Sequence, residues 1–216
     1  MPALVSAEPS RHIIRANLRK RFEPLEGEEG SSEYRDGIAR FVLEHETVTV
    51  RPPFGIAHEG EYPSVHVAPL LSALAEDHIV GVLLVRLGGY AVGVFEGERL
   101  IASKVGQRLV HGRHRAGGSS ANRFRRRREE QAKALVEAAA ATAVRVLSPH
   151  LADIEFVAFG GDRFALSGTL AARRELAVLE RKALPRFFTV PEPRQRVLER
   201  VIDDIYSAEV TTEPRG

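Results

Sequence analysis

Three apolar segments separated by two glycine turns constrain the fold most strongly. Residues 79–87 (IVGVLLVRL) are almost continuously apolar, which is typical of a strand buried on both faces. The Gly88-Gly89 pair is a hairpin signal, and residues 90–96 (YAVGVFE) supply the return strand. The Gly97-Glu98 turn then leads into a third strand over residues 99–105. This pattern predicts a three-stranded antiparallel meander.

Helical and strand signals alternate after the meander. Residues 123–147 predict a long helix, because apolar side chains recur at helical spacing from Ala132 to Leu147 and Ser148-Pro149 follows. The remaining elements are predicted as a strand over 154–160, a helix over 164–177, a strand over 183–190 and a helix over 191–206. The order predicts an α/β fold with an RNase H-like mixed sheet and helices on its faces.

The first part of the chain differs in composition from the part that follows. It is polar and interrupted by Pro and Gly, so residues 1–75 predict a small irregular α+β region that acts as an accessory module. Its predicted elements are a short basic helix over 11–22, a solvated loop over 23–33, strands ending at 50 and over 62–67, and a helix over 69–76. The main domain is predicted over 77–208, followed by a C-terminal tail over 209–216.

Basic charge is concentrated in one interval. Ten Lys or Arg side chains and no acidic ones lie between Arg99 and Arg128. The whole chain has 31 basic and 29 acidic residues, a net charge of +2, so the other positions carry 21 basic and 29 acidic side chains, or −8. A basic element on an acidic body points to a polyanionic partner.

The basic interval contains a long predicted loop over 108–122, with the Gly117-Gly118 pair near its end. A loop of this length within a compact domain is usually functional or disordered. The two glycines let the backbone approach a ligand closely. Two roles remain open for Ser119, Ser120 and Asn122, namely capping the next helix and holding a water molecule or donating a hydrogen bond.

Arginines at the start of the long helix are unfavourable for an isolated protein. The positive end of the helix dipole opposes each exposed cation by roughly 0.3–1 kcal/mol. An RNA partner would supply the missing negative charge, whereas the alternative is a solvated face with Arg125–Glu129 and Arg126–Glu130 pairs. The predicted RNA-binding residues are Arg108, His111, Arg113, His114, Arg115, Arg123, Arg125, Arg126, Arg127 and Arg128.

The type of RNA contact follows from the residues near the loop. Phe124 is the one aromatic residue within it or at its edge, which favours recognition of folded RNA by shape and phosphate over stacking on single strands. No carboxylate accompanies His111 and His114, so we expect no metal or other cofactor there.

Composition restricts the cellular setting. The 216 residues are 44% hydrophobic, which is sufficient for a core, and cysteine is absent, which fits a reducing compartment. Neither a signal peptide nor a membrane-spanning apolar run is apparent. We therefore expect a soluble cytoplasmic protein without a membrane partner.

The segment HGRHRAGGSSANRFRRRREEQ, residues 111–131, with the preceding meander and the following helix, resembles the catalytic middle domain of eukaryotic and archaeal peptide-release factors. The resemblance covers roughly residues 77–208 and is greatest to the Vms-like release factors of the actinobacterial-type branch. It implies a peptidyl-tRNA hydrolase whose loop enters the peptidyl-transferase centre of the large ribosomal subunit and binds rRNA and peptidyl-tRNA. The loop would position water, and backbone N–H groups would stabilise the developing charge. The implied catalytic residues are Gly117, Gly118, Ser119, Ser120 and Asn122.

One departure from the family leaves two functions open. Release factors carry Gln directly after the Gly-Gly pair, whereas this chain has Ser119. If the backbone supplies the catalytic contribution, hydrolysis survives; if a Gln side chain is required, the protein is a non-catalytic rRNA- or tRNA-binding factor. A third class, a metal-dependent nuclease, needs clustered carboxylates. The first two core strands provide none before Glu96, and Asp153, Glu155 and Asp162 lie only near the ends of the fourth.

Overall fold

The computed structural model describes the backbone over residues 10–107 and 120–215, and side chains over 10–107 and 125–215. The described strands are β1 Arg11–Ile13, β2 Ser31–Arg35, β3 Ile38–Val42, β4 Glu46–Arg51, β5 Gly60–Tyr62, β6 Ile79–Arg86, β7 Gly89–Glu96, β8 Arg99–Gln107, β9 Phe156–Gly161, β10 Ala183–Phe188 and β11 Ala208–Pro214. The described α-helices are α1 Arg15–Phe22, α2 Ala68–Ala75, α3 Ser120–Leu147, α4 Arg163–Ala171, α5 Ala177–Glu180 and α6 Gln195–Ile205.

The chain forms two compact units. One contains the residues up to Glu76 together with those from Asp203 onward, and the other runs from Asp77 to Ile202. Each unit has its own sheet. Among the described helices, none combines the length and the apolar composition that crossing a bilayer requires.

The unit from Asp77 to Ile202 has a mixed five-stranded sheet in the order β10-β9-β6-β7-β8. β6 pairs antiparallel with β7, and β7 with β8, which confirms the predicted meander. β9 is parallel to β6, and β10 is parallel to β9. The predicted α/β class is therefore confirmed, and the sheet contains both antiparallel and parallel pairs.

Helices cover both faces of this sheet. On one face Val92 and Val94 of β7 belong to a buried cluster with Leu135 and Ala139 of α3 and with side chains of α4. On the opposite face a Cβ on Gly93 would lie 3.1 Å from Leu198 Cδ2, so α6 packs directly on the central strands. Two-sided burial explains why β6 and β7 are apolar at nearly every position.

Most element boundaries differ from prediction by a few residues for local reasons. α6 begins at Gln195 rather than 191, after two prolines. β9 begins at Phe156 rather than 154, because the N–H of Ile154 instead completes a turn by donating to His150 O at 2.9 Å. The helix predicted over 164–177 is divided, since Arg173 is extended between α4 and the following 3-10 turn.

The other unit is more regular than predicted. An antiparallel sheet in the order β1-β11-β4-β3-β2-β5 replaces the irregular region expected over 1–75. The tight turn between β2 and β3 contains Asp36 and Gly37, whose φ values are 54° and 75°. Consecutive positive φ values favour an Asp-Gly hairpin, and this dipeptide signal was present in the sequence.

Three further predictions for this unit need correction. The segment over 62–67 is not a strand beyond Tyr62, because Val65 exchanges backbone hydrogen bonds with Gly27 and Glu28 instead. The helix predicted from residue 11 begins at Arg15, after β1. Residues 209–214, expected in a tail, belong to β11, which pairs with β1 and β4 and buries Val210.

Candidate nucleic-acid interface

β8, which precedes the predicted loop, and α3, which follows it, are both oriented toward one end of the mixed sheet. The last residues of β8 lie opposite Gly89, beside the turn between β6 and β7. Thr142 of α3 contacts Tyr90 at this end, whereas Leu147 lies against Gly81 near the other end. α3 therefore runs away from the turn, and its N-terminal part points past the end of the sheet from which β8 leads into the loop.

A buried contact secures α3 to the sheet at this end. Thr142 Oγ1 donates a hydrogen bond to Tyr90 Oη at 3.1 Å, and both residues are buried. The Tyr90 ring lies over the backbone of Gly106 in β8, where a Cβ would approach Tyr90 Cζ to 2.3 Å. Any larger residue at this position, two residues before the predicted loop begins, would therefore displace the Tyr90 ring. Sequence analysis missed these residues, although an isolated glycine within a strand is itself a sign of close approach.

The first twelve residues of α3, Ser120 to Gln131, form a segment that we call the arginine arm. They span about 18 Å at ~1.5 Å per residue. In this helix the first fully buried described side chain is Leu135. The arm therefore precedes the part of α3 that packs on the sheet, and its described side chains, Arg125 to Gln131, are exposed or half-buried.

The arm contains four consecutive arginines, which point in different directions around the helix axis. Successive side chains on an α-helix are rotated by ~100°, so positions 125 to 128 point to all sides of the helix axis. Arg125, Arg126 and Arg127 are exposed, and Arg128 is half-buried on the side that continues toward Leu135. One flat surface of the protein could not neutralise all four charges, whereas RNA enclosing the arm could.

Intramolecular ion pairs neutralise little of this charge. Arg125 Nε lies 3.8 Å from Glu129 Oε1, and both side chains are more than 60% exposed. Within the described part of the chain, Arg126, Arg127 and Arg128 form no ion pair. The alternative with two i,i+4 pairs is thus realised only at Arg125, where an exposed pair contributes well under about 1 kcal/mol.

Helix electrostatics leave the same charge uncompensated. The first turn of α3 contains no acidic residue, and the dipole makes this end positive. Further along α3, Glu137 does have an arginine partner from elsewhere in the chain, because Arg173 Nη1 donates to Glu137 Oε2 at 2.9 Å. An anionic partner at the arm would therefore satisfy charges that the described protein leaves open.

The structure describes only part of the predicted site. The predicted loop residues outside the described part of the chain are Arg108, His111, Arg113, His114, Arg115, Gly117, Gly118 and Ser119. Ser120, Asn122 and Arg123 lie in the backbone of α3, so Asn122 is the third described helical residue and cannot cap the helix at its N-terminus. The described helix begins three residues earlier than predicted, which shortens the loop predicted over 108–122.

Carboxylates near β9 have separate structural roles. Glu155 Oε2 accepts a hydrogen bond from His78 Nδ1 at 3.0 Å, and Glu155 Oε1 accepts one from the N–H of Ile79 at 2.9 Å. Burial would raise the pKa of Glu155, but the two hydrogen bonds and the electrostatic attraction of His78 and then Lys182 outweigh it, so the pKa is lowered. Asp162, at the other end of β9, caps α4 by accepting from the Ala165 N–H at 2.8 Å. Among the described residues, no group of three or more His, Asp or Glu side chains could hold a metal ion.

A comparison with protein families places these features in context. The family model described as the Actinobacteria/chloroflexi VLRF1 release factor matches residues 78–211. The chain belongs to this release-factor family. The match includes the meander, the basic interval and all of α3, and it confirms the resemblance drawn from residues 111–131. A search of curated protein sequences found no match.

Solved structures similar to this family member include an archaeal translation termination factor, aRF1, with 14% identity, 90% of this chain and 73% of that chain covered, and a TM-score of 0.43. The Vms1 mitochondrial localization core has 10% identity, coverages of 90% and 80%, and a TM-score of 0.42. Pelota from Archaeoglobus fulgidus has 12% identity, coverages of 94% and 66%, and a TM-score of 0.30. All three TM-scores lie below 0.5, so the assignment depends on the family match.

Proposed function

We propose that this protein is a ribosome-associated peptidyl-tRNA hydrolase that releases nascent peptides during ribosome rescue or quality control. Membership of the release-factor family supports translation as the setting. The observation that carries the proposal is the arginine arm, which bears four consecutive arginines and precedes the packed part of α3. The proposed partners of the protein are the large ribosomal subunit, at its peptidyl-transferase centre, together with rRNA and peptidyl-tRNA.

The arm binds RNA through phosphates rather than through a base sequence. Guanidinium groups form paired hydrogen bonds with phosphate oxygens, and Arg126 and Arg127 are exposed for this purpose. Because the arginines point to all sides of the helix, folded RNA that surrounds the arm fits better than one flat strand. The other predicted RNA-binding residues extend this contact into the loop, namely Arg108, His111, Arg113, His114, Arg115 and Arg123.

The loop supplies the chemistry in this proposal. A water molecule attacks the carbonyl carbon of the ester, and the bond between this carbon and the ribose oxygen breaks. A proton from the water is transferred to the ribose oxygen. Backbone N–H groups at Gly117 and Gly118 stabilise the developing oxyanion, as preorganised donors do in other acyl-transfer sites. Ser119, Ser120 and Asn122 hold the water or donate hydrogen bonds. No cofactor or metal enters these steps.

The scaffold also forms part of the proposal. We assign the unit from Asp77 to Ile202 to the RNase H-like class. The meander supports this assignment, because β9 pairs in parallel with its first strand, β6, and β10 pairs in parallel with β9. The N-terminal unit acts as an accessory module. The cytoplasm is the proposed location, and the absence of cysteine is compatible with its reducing conditions.

A second candidate function follows from Ser119, which stands where release factors carry Gln. If catalysis requires the Gln side chain, the protein is a non-catalytic factor that binds rRNA or tRNA with the same arm. Both candidates need the arginines, and they differ only in whether the ester is cleaved.

Peptide release from large subunits loaded with peptidyl-tRNA separates the two functions. We expect the wild-type protein to release free peptide, and Gly118→Val to abolish release while leaving the melting temperature unchanged. Ser119→Ala tests whether the serine side chain participates. Binding without release would support the second candidate, whereas neither binding nor release would reject both.

A further inference from the structure

An exposed phenylalanine lies at the same end of the mixed sheet as the arginine arm. Phe164, in the first turn of α4, is 90% exposed. The N–H of Asp162 donates to Val85 O at 2.7 Å, which places the start of α4 beside the end of β6. Because the N-terminal part of α3 extends past this same end, Phe164 and the arm lie on the same side of the unit. Sequence separation had concealed this aromatic residue.

Two of the exposed large apolar side chains, Leu87 and Phe164, lie at this end of the mixed sheet. The described large hydrophobic residues with substantial exposure are Ile14, Leu87, Ile101 and Phe164. Leu87 lies in the turn between β6 and β7, next to the root of the loop, whereas Ile101 lies near the opposite end of β8. Phe164 is by far the most exposed of the four, and burial in the protein core does not account for a phenylalanine there.

An exposed arginine, Arg163, directly precedes Phe164 in the sequence. The Arg163 guanidinium lies 4.2 Å from the centroid of the Phe187 ring of β10, a cation–π contact in a cleft that Glu180 also lines. Arg86 Nη1 donates to Val190 O at 2.8 Å at the same end of the sheet. Three carboxylates are close in sequence or space: Asp162 caps α4, Glu192 pairs with Arg194, and Glu180 lines the same cleft as Arg163. Arg163 is therefore the cation nearest to Phe164 in the sequence, in a region that contains both arginines and carboxylates.

We propose that Phe164 stacks on an unpaired nucleobase of the RNA that the arginine arm binds, with Arg163 contacting the adjacent phosphate. This proposal rests on the RNA-binding function proposed above. Aromatic rings beside cations are the usual means by which proteins bind unpaired bases, and every base offers a face for stacking. The arm then binds the folded, phosphate-rich part of the RNA, and Phe164 adds a contact to a neighbouring unpaired nucleotide.

Removing the aromatic ring should weaken binding to single-stranded RNA in particular. The probes are a short unstructured RNA strand and the duplex that it forms with its complement, each labelled for fluorescence anisotropy. We expect Phe164→Ala and Phe164→Leu to raise the Kd for the single strand by about 5-fold or more, the usual loss for one stacked base. The Kd for the duplex should stay unchanged. Phe164 is almost fully exposed, so these variants should fold normally.

A tryptophan at this position reports stacking directly, because the chain contains no other tryptophan. We expect Phe164→Trp to bind the single strand as the wild type does and to lose fluorescence on binding. The control, Ile101→Trp near the far end of β8, should bind equally and keep its fluorescence. Equal Kd values for Phe164→Ala and wild type, or equal quenching at both tryptophans, would overturn the stacking proposal while leaving RNA binding intact. Failure of the wild type to bind either RNA would instead reject the proposed RNA-binding function, and the stacking proposal with it.

Discussion

Thr142 Oγ1 donates a hydrogen bond to Tyr90 Oη at 3.1 Å in the buried contact between α3 and β7. This bond lies at the end of the sheet from which the arginine arm projects. The described side chains of the arm are exposed or half-buried, so the direction in which it leaves the sheet depends on contacts in the packed part of α3. The Tyr90 hydroxyl thus connects the stability of the unit with the placement of its basic arm.

Removing the Tyr90 hydroxyl should destabilise the unit. Tyr90→Phe leaves the buried Thr142 hydroxyl without this partner, and a change of this kind costs about 1–3 kcal/mol. The double variant Tyr90→Phe, Thr142→Val removes both polar groups and should recover most of that stability. Urea unfolding of the wild type, the two single variants and the double variant measures the coupling. Full stability of Tyr90→Phe alone would mean that the bond contributes nothing.

Two glycine substitutions should have opposite effects. Gly106→Ala would place Cβ 2.3 Å from Tyr90 Cζ, so the ring must move, and overpacking of this kind costs about 1–3 kcal/mol. Gly168→Ala is the matched control, because its Cβ would meet Val136 Cγ1 at an ordinary 3.5 Å in the helix α4. Alanine in a helix gains up to about 1 kcal/mol over glycine. Thermal melting should therefore show a lower Tm for the first variant and an equal or higher one for the second. A stable Gly106→Ala protein would contradict the packing described at the loop root.

The pair formed by Glu155 and His78 should make stability depend on pH. The pKa of Glu155 is lowered from its ordinary value of 4.5, so the charged form stabilises the folded state above that pH. This contribution disappears as the pH falls below 4.5 through the lowered pKa. The carboxylate is half exposed, which limits the effect to less than about 1 kcal/mol. Glu155→Gln should accordingly be slightly less stable than wild type at pH 7, and the difference should shrink in acid. Chemical unfolding at pH 7 and below pH 4.5 measures the difference in stability between the variant and wild type. A difference that grows in acid would refute the assignment.

Deleting the last strand should disrupt the unit that contains the N-terminal sheet. β11 lies between β1 and β4, and its Ala208 and Val210 side chains are fully or almost fully buried. Truncation after Ser207 opens the sheet internally and should abolish cooperative unfolding of this unit. Truncation after Pro214 should have little effect. Hydrogen exchange of the β4 amides distinguishes the two, and protected β4 amides in the shorter protein would show that the segment is only a tail.

The elements of the fold that could be predicted are those marked by local features of the sequence. β6 and β7 were evident because burial on both faces makes them apolar throughout, and glycines mark their turn. β11 was missed because its alternating pattern is short and its partners β1 and β4 are remote in sequence, so no local signal pairs them. The N-terminal sheet was underestimated because prolines and glycines between its strands concealed the Asp36-Gly37 hairpin.

The candidate site was predictable in charge but not in surroundings. Consecutive arginines at a helix start could be read directly from residues 123–128, and the structure places Arg125 to Arg128 around the arm. The roles of Tyr90, Gly106 and Phe164 depend on which strands and helices share one end of the sheet. Such three-dimensional neighbours cannot be derived from spacing along the chain.

The salt dependence of binding to large ribosomal subunits tests the central claim most directly, since both candidate functions need the arginine arm. Replacing Arg125 through Arg128 together with Ala should raise the Kd and reduce the slope of log K against log salt by about 0.7–0.9 for each phosphate that the variant no longer neutralises. The Tm should stay equal or rise, because Ala favours the helix and removes cations from its positive end. Arg145→Ala, in the last turn of the same helix, should leave the slope unchanged. If the fourfold variant binds with the wild-type affinity and slope, the arginine arm does not bind ribosomal RNA and the account is contradicted.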